Sequence, residues 1–390
     1  MVKLVANRLK DFIESEKSGG LLLFVCTFAS LLITNATVGD DYLNFWHKDI
    51  GGHTITQWIN DGLMAIFFMM VGLEIMNEVE DGELSSWRTA LLPISGALGG
   101  MIVPALIYLY FNWGLDTQNG FGIPIATDLA FTLAILSLFS KRVPFGLKIF
   151  LTAFSILDDV GGIIVIVLFY TESLAWIYLT LALSIFVILL LLNRKFNVTH
   201  LAPYLIGGIA MWYFMLNSGV HATLAGILLA VTIPFRKNDK NCLSVRMQNW
   251  LHYPVAYIIL PIFALANMAI NIEGKWDQSL GEPFAMGIIL GLLVGKPIGI
   301  TLFSYLSVKT KMAKLPEDTN WKEIFGVGLI GGVGFTMSIF ITLLSFADYP
   351  EIENAAKLII MLTSILAGII GYTWLNFVLK KDSELNDHNL

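Results

Sequence analysis

Long apolar runs separated by short polar connections form the pattern of this chain from about residue 14 to residue 379. A helix that crosses a bilayer needs about 20 mostly apolar residues, because the hydrocarbon core is about 30 Å thick. The chain reaches or approaches this length in runs near 14–34, 55–79, 89–112, 122–140, 144–170, 174–193, 201–216, 219–234, 250–271, 284–307, 324–346 and 354–379. The pattern predicts an all-α integral membrane protein, a single polytopic domain with about 12 transmembrane helices.

The positions of the lysines and arginines predict the orientation of these helices. Nearly all of the 24 such residues fall in one set of loops, and Lys48, Lys275 and Lys357 are the exceptions on the other side. Cytoplasmic loops carry the excess of Lys and Arg, so we expect both termini in the cytoplasm and an even number of spans. The many later apolar runs favour a retained first helix over a signal peptide.

The composition agrees with a membrane protein, since 56% of the residues are hydrophobic, only 14% are charged and the mean hydropathy is +0.72. A soluble domain would carry about 25% charged residues. No basic arm suggests a nucleic-acid partner. Cys26 and Cys242 lie in unlike surroundings, and we expect both to be unpaired.

The longest outer connection, near 35–54, contains Gly51 and Gly52 between residues that favour strands. Such a sequence predicts either a β-hairpin or a plain glycine-rich loop, and the pattern does not separate the two. The segment near 45–56 is also the surface through which we consider a homodimer.

Two of the apolar runs are interrupted by residues that disturb a helix. The first carries Pro124 and Asp128, and the second carries five glycines between residues 326 and 336. They occupy the middle of two three-helix groups, near 89–170 and 284–379. Interrupted helices in corresponding positions of two halves point to a transporter binding site. Close glycine packing between helices is the alternative explanation.

Four charged residues lie where the lipid core is expected, namely Asp128, Asp158, Asp159 and Lys296. A charge at the centre of a membrane helix costs about 2.5–3.5 kcal/mol on insertion scales. Structure alone rarely needs four such residues, so we interpret them as functional.

Asp158 and Asp159 are adjacent carboxylates in an otherwise nearly uncharged run. Repulsion and desolvation prevent both from staying ionised unless a cation is bound, so the pair holds either protons or a hard cation such as Na⁺. Neighbouring residues of a helix point about 100° apart, which predicts different roles for the two acids. Bonding to helix ends or lysines is the structural alternative.

Lys296 is the natural counter-charge, because a buried lysine must pair or lose its proton. Snorkelling to the membrane interface is the alternative. The neighbouring residues do not form a phosphate loop, since Pro297 stands where Ser or Thr is required. Thr127 and Asp128 lie beside the Pro124 break, and we expect them to balance helix dipoles and to line the cation path.

Glu74 and Glu78 lie one turn apart at the inner end of the second predicted helix. They could form an acidic funnel that collects cations, and a solvated helix end is equally consistent with the pattern. His221 is interpreted as a hydrogen-bonded packing residue. The sequence contains no metal cluster, catalytic triad or cofactor motif. We therefore expect that the protein binds no cofactor and is not an enzyme.

Several charged or glycine-bearing motifs together resemble the NhaA family of Na⁺/H⁺ antiporters along nearly the whole chain. The motifs that carry the resemblance are Trp58–Asp61, Gly72–Glu74, Ala126–Phe131, Leu147–Leu151, Leu157–Asp159, Ser218–Gly226, Gly295–Pro297 and Gly334–Phe340. The resemblance implies two inverted three-helix repeats, near 89–170 and 284–379, whose discontinuous helices cross near the bilayer centre.

For the site, the resemblance implies that Asp158 and Asp159 carry Na⁺ or Li⁺ and protons. Lys296 would pair with Asp158, while Asp128 and Lys296 would balance the crossed helix ends. The implied activity is electrogenic exchange of cytoplasmic Na⁺ for external H⁺ in a bacterial inner membrane, serving sodium and pH homeostasis.

The chain departs from the family pattern at the inner mouth. Met76 and Asn77 stand where the family usually has a basic pair, and His252 is kept while Gln248 and Asn249 replace an acid and a histidine. The pH-linked cluster is therefore thinned, leaving Glu74, Glu78 and His252 as candidates.

Two other functions use similar residues. An intramembrane aspartyl protease also needs two membrane acids, but on two helices, and has no use for a midspan lysine. A cation channel needs a continuous pore instead of a charge-compensated pocket.

Overall fold

The computed structural model describes residues 16–139, 142–171, 174–237, 239, 241–272 and 278–387. Within these residues the fold is helical except for one short hairpin. The helices are α1 (Glu16–Thr34), α2 (Gly39–Trp46), α3 (Ile55–Glu80), α4 (Trp87–Asn112), α5 (Leu129–Ser137), α6 (Phe145–Phe169), α7 (Trp176–Arg194), α8 (Leu201–Leu216), α9 (Leu224–Thr232), α10 (Leu243–Asn267), α11 (Pro283–Lys309), α12 (Trp321–Gly331), α13 (Phe335–Ser345) and α14 (Pro350–Asp387). A 3₁₀ segment, Asp116–Ile125, precedes α5.

Eight segments of the described chain are long and apolar enough to cross a membrane, and up to ten if each of two bent pairs is one span. The bent pairs are α1 with α2, at 118°, and α12 with α13, at 48°. The expected all-α membrane fold is confirmed. Each of the twelve predicted runs contains a helix, but α8 has 16 residues and α9 only nine, too short to span alone.

The connection after α1 differs from the predicted loop, because it contains the short helix α2. Strands β1 (Asp49–Ile50) and β2 (His53–Thr54) then form an antiparallel hairpin. Gly51 and Gly52 make its turn with φ of +69° and +91°, values that residues with a Cβ rarely adopt. The hairpin, and not the plain loop, is therefore what the structure contains.

The described chain forms two compact units. The first contains residues up to 22, 86–162 and residues from 272 onward, and the second contains 23–85 and 163–271. In the first unit a buried cluster of Phe150, Phe154 and Ile300 with other apolar side chains forms a core. Cys26 and Cys242 are both free thiols, as predicted.

In the first unit, α4 packs against α11 through glycines. A Cβ built on Gly99 would overlap the carbonyl oxygen of Gly299, and a Cβ on Gly299 would overlap that of Gly99. Gly295 similarly packs on the backbone of Pro104. This close approach fixes α11 at the residue before Lys296.

Both groups of helices in the first unit have the same order of elements. In each, a long helix, α4 or α11, is followed by an interrupted one and then by a second long helix. That these groups are inverted repeats stays a prediction.

In the second unit, α9 packs on α3, where Gly226 lies against the carbonyl oxygen of Ala65. A π-helical turn in α3, Ile59–Leu63, places Asn60 opposite Asn267, and the two amides exchange hydrogen bonds of 3.1 and 2.8 Å. These contacts join α3 to the end of α10.

Candidate ion-binding site

Two helix breaks meet in the first unit. The chain is extended at Ala126 and Asp128 between the 3₁₀ segment and α5, and it turns at Gly332 between α12 and α13. The amide of Asp128 donates to the carbonyl oxygen of Val333 at 2.7 Å, and the hydroxyl of Ser338 donates to that of Ile123 at 2.8 Å. The breaks predicted from Pro124 and from the glycine run are therefore both present, and they contact each other.

Asp128 caps two helices with a single carboxylate. Its Oδ1 accepts a hydrogen bond from the amide of Phe131 in the first turn of α5, at 3.2 Å. Its Oδ2 accepts from the amide of Thr336, at 3.1 Å, and from the hydroxyl of Thr336, at 2.5 Å, in the first turn of α13. Helix N-termini carry partial positive charge and unpaired amides, so this buried anion has compensation from both.

Lys296 forms a buried ion pair with Asp158. The distance from Nζ to Oδ2 of Asp158 is 2.6 Å, and both side chains are fully buried. The same Nζ donates to the hydroxyl oxygen of Thr127 at 2.8 Å. That hydroxyl in turn donates to the carbonyl oxygen of Gly331 at 2.9 Å, so the lysine charge is linked to the carbonyl end of α12.

The local sequence places Lys296 at this position. A π-helical turn, Gly291–Gly295, directly precedes it, and Pro297 follows it at the start of the next helical stretch. Such turns insert one residue into a helix and are frequent at functional sites. The centroid of the Phe154 ring lies 5.6 Å from Nζ, so the ammonium group also faces an aromatic ring.

Asp158 and Asp159 both lie in the middle of α6 and are both buried. Asp158 contacts Lys296 directly, and Asp159 is the next residue of the same helix. Carboxylate and hydroxyl oxygens are ligands that a hard cation prefers. The oxygens of Asp158, Asp159 and Thr127 can therefore serve a cation such as Na⁺, and the two carboxylates can equally take protons.

The predicted inner-mouth residues lie in the second unit. Glu74 and Glu78 are one turn apart on α3 and partly buried, and Oε2 of Glu78 accepts from the amide of Glu83 at 3.1 Å. His252 is exposed near the middle of α10, with its ring edge toward Tyr253. Among the described residues, no hydrogen bond or ion pair joins His252 to either glutamate, so their joint role stays a prediction.

Two further residues were missed by the sequence and one, His221, was predicted. Thr336 and Ser338 belong to a motif of the family resemblance but received no role, because hydroxyl residues are common in membrane helices. The glycine run beside them was the available signal. His221 accepts or donates through Nε2 at 2.8 Å from the carbonyl oxygen of Tyr170, in agreement with the packing role expected for it.

Interrupted helices that surround a buried lysine and carboxylates, in a multi-pass helical protein, define a secondary transporter of cations. A family model described as "Na+/H+ antiporter 1" matches residues 10–375, and the Na⁺/H⁺ antiporter NhaA of Flavobacterium psychrophilum is 54% identical over 376 residues. That alignment covers 96% of this chain and 97% of the relative. The chain belongs to the NhaA family of Na⁺/H⁺ antiporters.

Other relatives agree over nearly their full lengths. The antiporter NhaA of Cytophaga hutchinsonii is 52% identical over 377 residues, which cover 97% of each chain. That of Dechloromonas aromatica is 50% identical over 382 residues, which cover 97% of this chain and 98% of the relative. The predicted family and its transport class are confirmed, and the enzyme alternative is excluded.

Proposed function

We propose that this chain exchanges cytoplasmic Na⁺, or Li⁺, for external H⁺ at Asp158 and Asp159. The observation that supports the proposal best is the fully buried ion pair between Lys296 and Asp158, beside the meeting point of the two helix breaks. A buried pair of this kind is costly, and replacing it with apolar residues often stabilises a protein. Stability alone therefore does not explain why this ion pair is present, whereas a role in transport does.

The two carboxylates make Na⁺ and protons alternative ligands. With no cation bound, Lys296 neutralises Asp158, and a proton or Na⁺ must neutralise the remaining negative charge of the site. Na⁺ therefore enters as protons leave. Filling this one remaining negative charge exchanges one proton for one Na⁺, so electrogenic exchange requires Na⁺ to displace a second proton, the one that Lys296 and Asp158 share. The net charge that then crosses is worth about 2.3 kcal/mol per 100 mV of membrane potential.

Asp128 and Lys296 balance the interrupted helix ends in this proposal. Asp128 lies at the two N-termini, and Lys296 reaches a carbonyl end through Thr127. The charge of Asp128 then need not leave its place when Na⁺ binds. Thr127 can add its hydroxyl oxygen to the cation site, and it also links the Lys296 ammonium group to the carbonyl end of α12.

The placement in the cell belongs to the same proposal. The distribution of Lys and Arg supports both termini in the cytoplasm, and the bacterial relatives support a bacterial inner membrane. Glu74, Glu78 and His252 would then lie toward the cytoplasmic mouth, where the two acids concentrate cations. The reciprocal contact of Gly99 with Gly299 supports inverted repeats near 89–170 and 284–379.

A homodimer through the segment near 45–56 completes the proposal. Phe45 and Ile50 there are 53% and 52% exposed, which is high for large apolar side chains next to a polar hairpin. Ile50→Asp should reduce the dimer fraction measured by light scattering in detergent. An unchanged dimer would place the contact elsewhere.

Proteoliposomes with an imposed pH gradient test the transport proposal. Addition of Na⁺ should dequench an internal pH dye with the wild type and with Asp41→Asn, a change of an exposed acid on α2. Asp159→Asn should give no response. A cation channel would pass Na⁺ without this coupled proton movement, so Na⁺ uptake without dequenching would contradict the proposal.

A further inference from the structure

Thr336 makes an unusually complete contact with one oxygen of Asp128. Its amide and its hydroxyl both donate to Oδ2, at 3.1 and 2.5 Å, and the residue is 2% exposed. The amide bond is available to any residue at this place in the first turn of α13. The hydroxyl bond depends on the side chain, and its short length is typical of a charge-assisted bond.

Asp128 does not pair with the lysine of the site. Its other oxygen is held by the amide of Phe131, and among the described residues it forms no ion pair. Yet Thr127, its neighbour in the chain, contacts Nζ of Lys296 directly. A carboxylate one residue away from a ligand of the ammonium group is a natural competitor for it in a medium of low dielectric constant.

We propose that Thr336 is a positioning residue that holds the Asp128 carboxylate away from Lys296, so that Asp158 alone receives the lysine. The proposal rests on the proposed function, in which Asp158 is a carrier. Without the hydroxyl, Oδ2 keeps one backbone donor and the Asp128 side chain is free to turn toward the ammonium group.

The consequence falls on the competition between Na⁺ and protons. When Asp128 takes the lysine for part of the time, Asp158 loses its counter-charge and a proton neutralises it instead. Na⁺ must then displace that proton. The KM for Na⁺ rises at a given pH, whereas the maximal rate at saturating Na⁺ is retained.

Three variants on α13 test this with reconstituted full-length protein. Thr336→Val keeps the shape and removes the hydroxyl, and it should raise the KM for Na⁺ about tenfold, the order expected for losing one hydrogen bond to a charged group. Thr336→Ser keeps the hydroxyl and should restore a KM near that of the wild type. Thr342→Val is the matched control, because the hydroxyl of this buried threonine donates only to Ser338 of its own helix.

A double variant separates positioning from a structural role. In an Asp128→Asn background there is no carboxylate to compete for the lysine, so Thr336→Val should leave the KM of that background nearly unchanged. An equal rise of the KM in both backgrounds would overturn the proposal. If Thr336→Val does not accumulate as folded protein, Thr336→Ala makes the same comparison.

The two proposals fail in different ways. A KM for Thr336→Val equal to that of the wild type would refute the positioning role and leave Asp158 and Asp159 as carriers. Retained exchange in Asp159→Asn would refute the carrier assignment, whatever the Thr336 variants do.

Discussion

Gly99 of α4 and Gly299 of α11 contact each other backbone to backbone, each occupying the space in which the other's side chain would stand. The contact is reciprocal, and it lies one turn after Lys296 on α11. The position and rotation of α11, and with them the position of the Lys296 side chain, are therefore set partly by two residues that have no side chain.

Gly299→Ala should accordingly displace α11 and weaken the site. Overpacking in a close-packed interior typically costs about 1–3 kcal/mol, so the melting temperature in detergent should fall and exchange should slow. Gly162→Ala is the matched control, since a Cβ there meets no atom within 4 Å and alanine is the better helix former. Equal melting temperatures for the two variants would contradict the packing argument.

Lys296→Ala should lower the melting temperature markedly. It strands the buried Asp158 carboxylate, and breaking a buried pair costs about 3–5 kcal/mol in water-soluble proteins. Lys296→Arg keeps the charge and should be milder. Lys309→Ala, at the exposed end of the same helix, should melt like the wild type. Wild-type melting of Lys296→Ala would show that the ion pair does not stabilise the empty site.

Asp158→Asn should abolish Na⁺-driven proton release in vesicles, as Asp159→Asn should. An amide cannot release a proton and binds Na⁺ weakly. Either change therefore removes one of the two carboxylates for which Na⁺ and protons compete. Asp159→Asn should leave the yield of folded protein unaffected, because an uncharged residue is cheaper in the lipid core. Asp158→Asn leaves the buried Lys296 ammonium group without its partner, so it should also lower the melting temperature, as Lys296→Ala does. Normal exchange in either variant would sink the carrier assignment.

Transport should rise smoothly with pH, with the KM for Na⁺ falling in step. Protons occupy the carboxylates in acid, so raising the Na⁺ concentration should move the half-maximal pH to lower values. Charges at the inner mouth, such as those of Glu74 and Glu78, act on the site through an electrostatic potential that salt screens within about 8 Å. A charge added there by Gln248→Glu should therefore shift the pH profile only slightly. A steep pH switch that saturating Na⁺ cannot move would indicate a separate sensor.

The sequence predicted the site's charged residues and both helix breaks for a common physical reason. Asp158, Lys296 and Pro124 each violate what a lipid-embedded helix tolerates, so they stand out without any structure. Thr336 violates nothing, and its importance comes from a partner 208 positions away in the chain. The family resemblance included the motif that contains Thr336, but it did not predict the hydrogen bond from Thr336 to Asp128.

Local features escaped prediction for a different reason. The π-helical turns, such as Gly291–Gly295, add one residue to a helix without changing its composition. Helix α2 is short and carries Asp40 and Asp41 in its first turn, so it reads as part of a polar loop. The hairpin at Gly51 was open between two readings, because its strands have only two residues each.

The hydrogen bonds across the two breaks also restrict how the protein can move. Asp128 bonds to Val333, Thr127 to Gly331 and Ser338 to Ile123, and every one of these bonds runs from one interrupted helix to the other. Moving one break alone would open several buried bonds at once. The region where the two breaks meet should therefore move as a single rigid body between inward-open and outward-open states. Its amides should resist deuterium exchange equally in both states, with flexibility left to the segments around it.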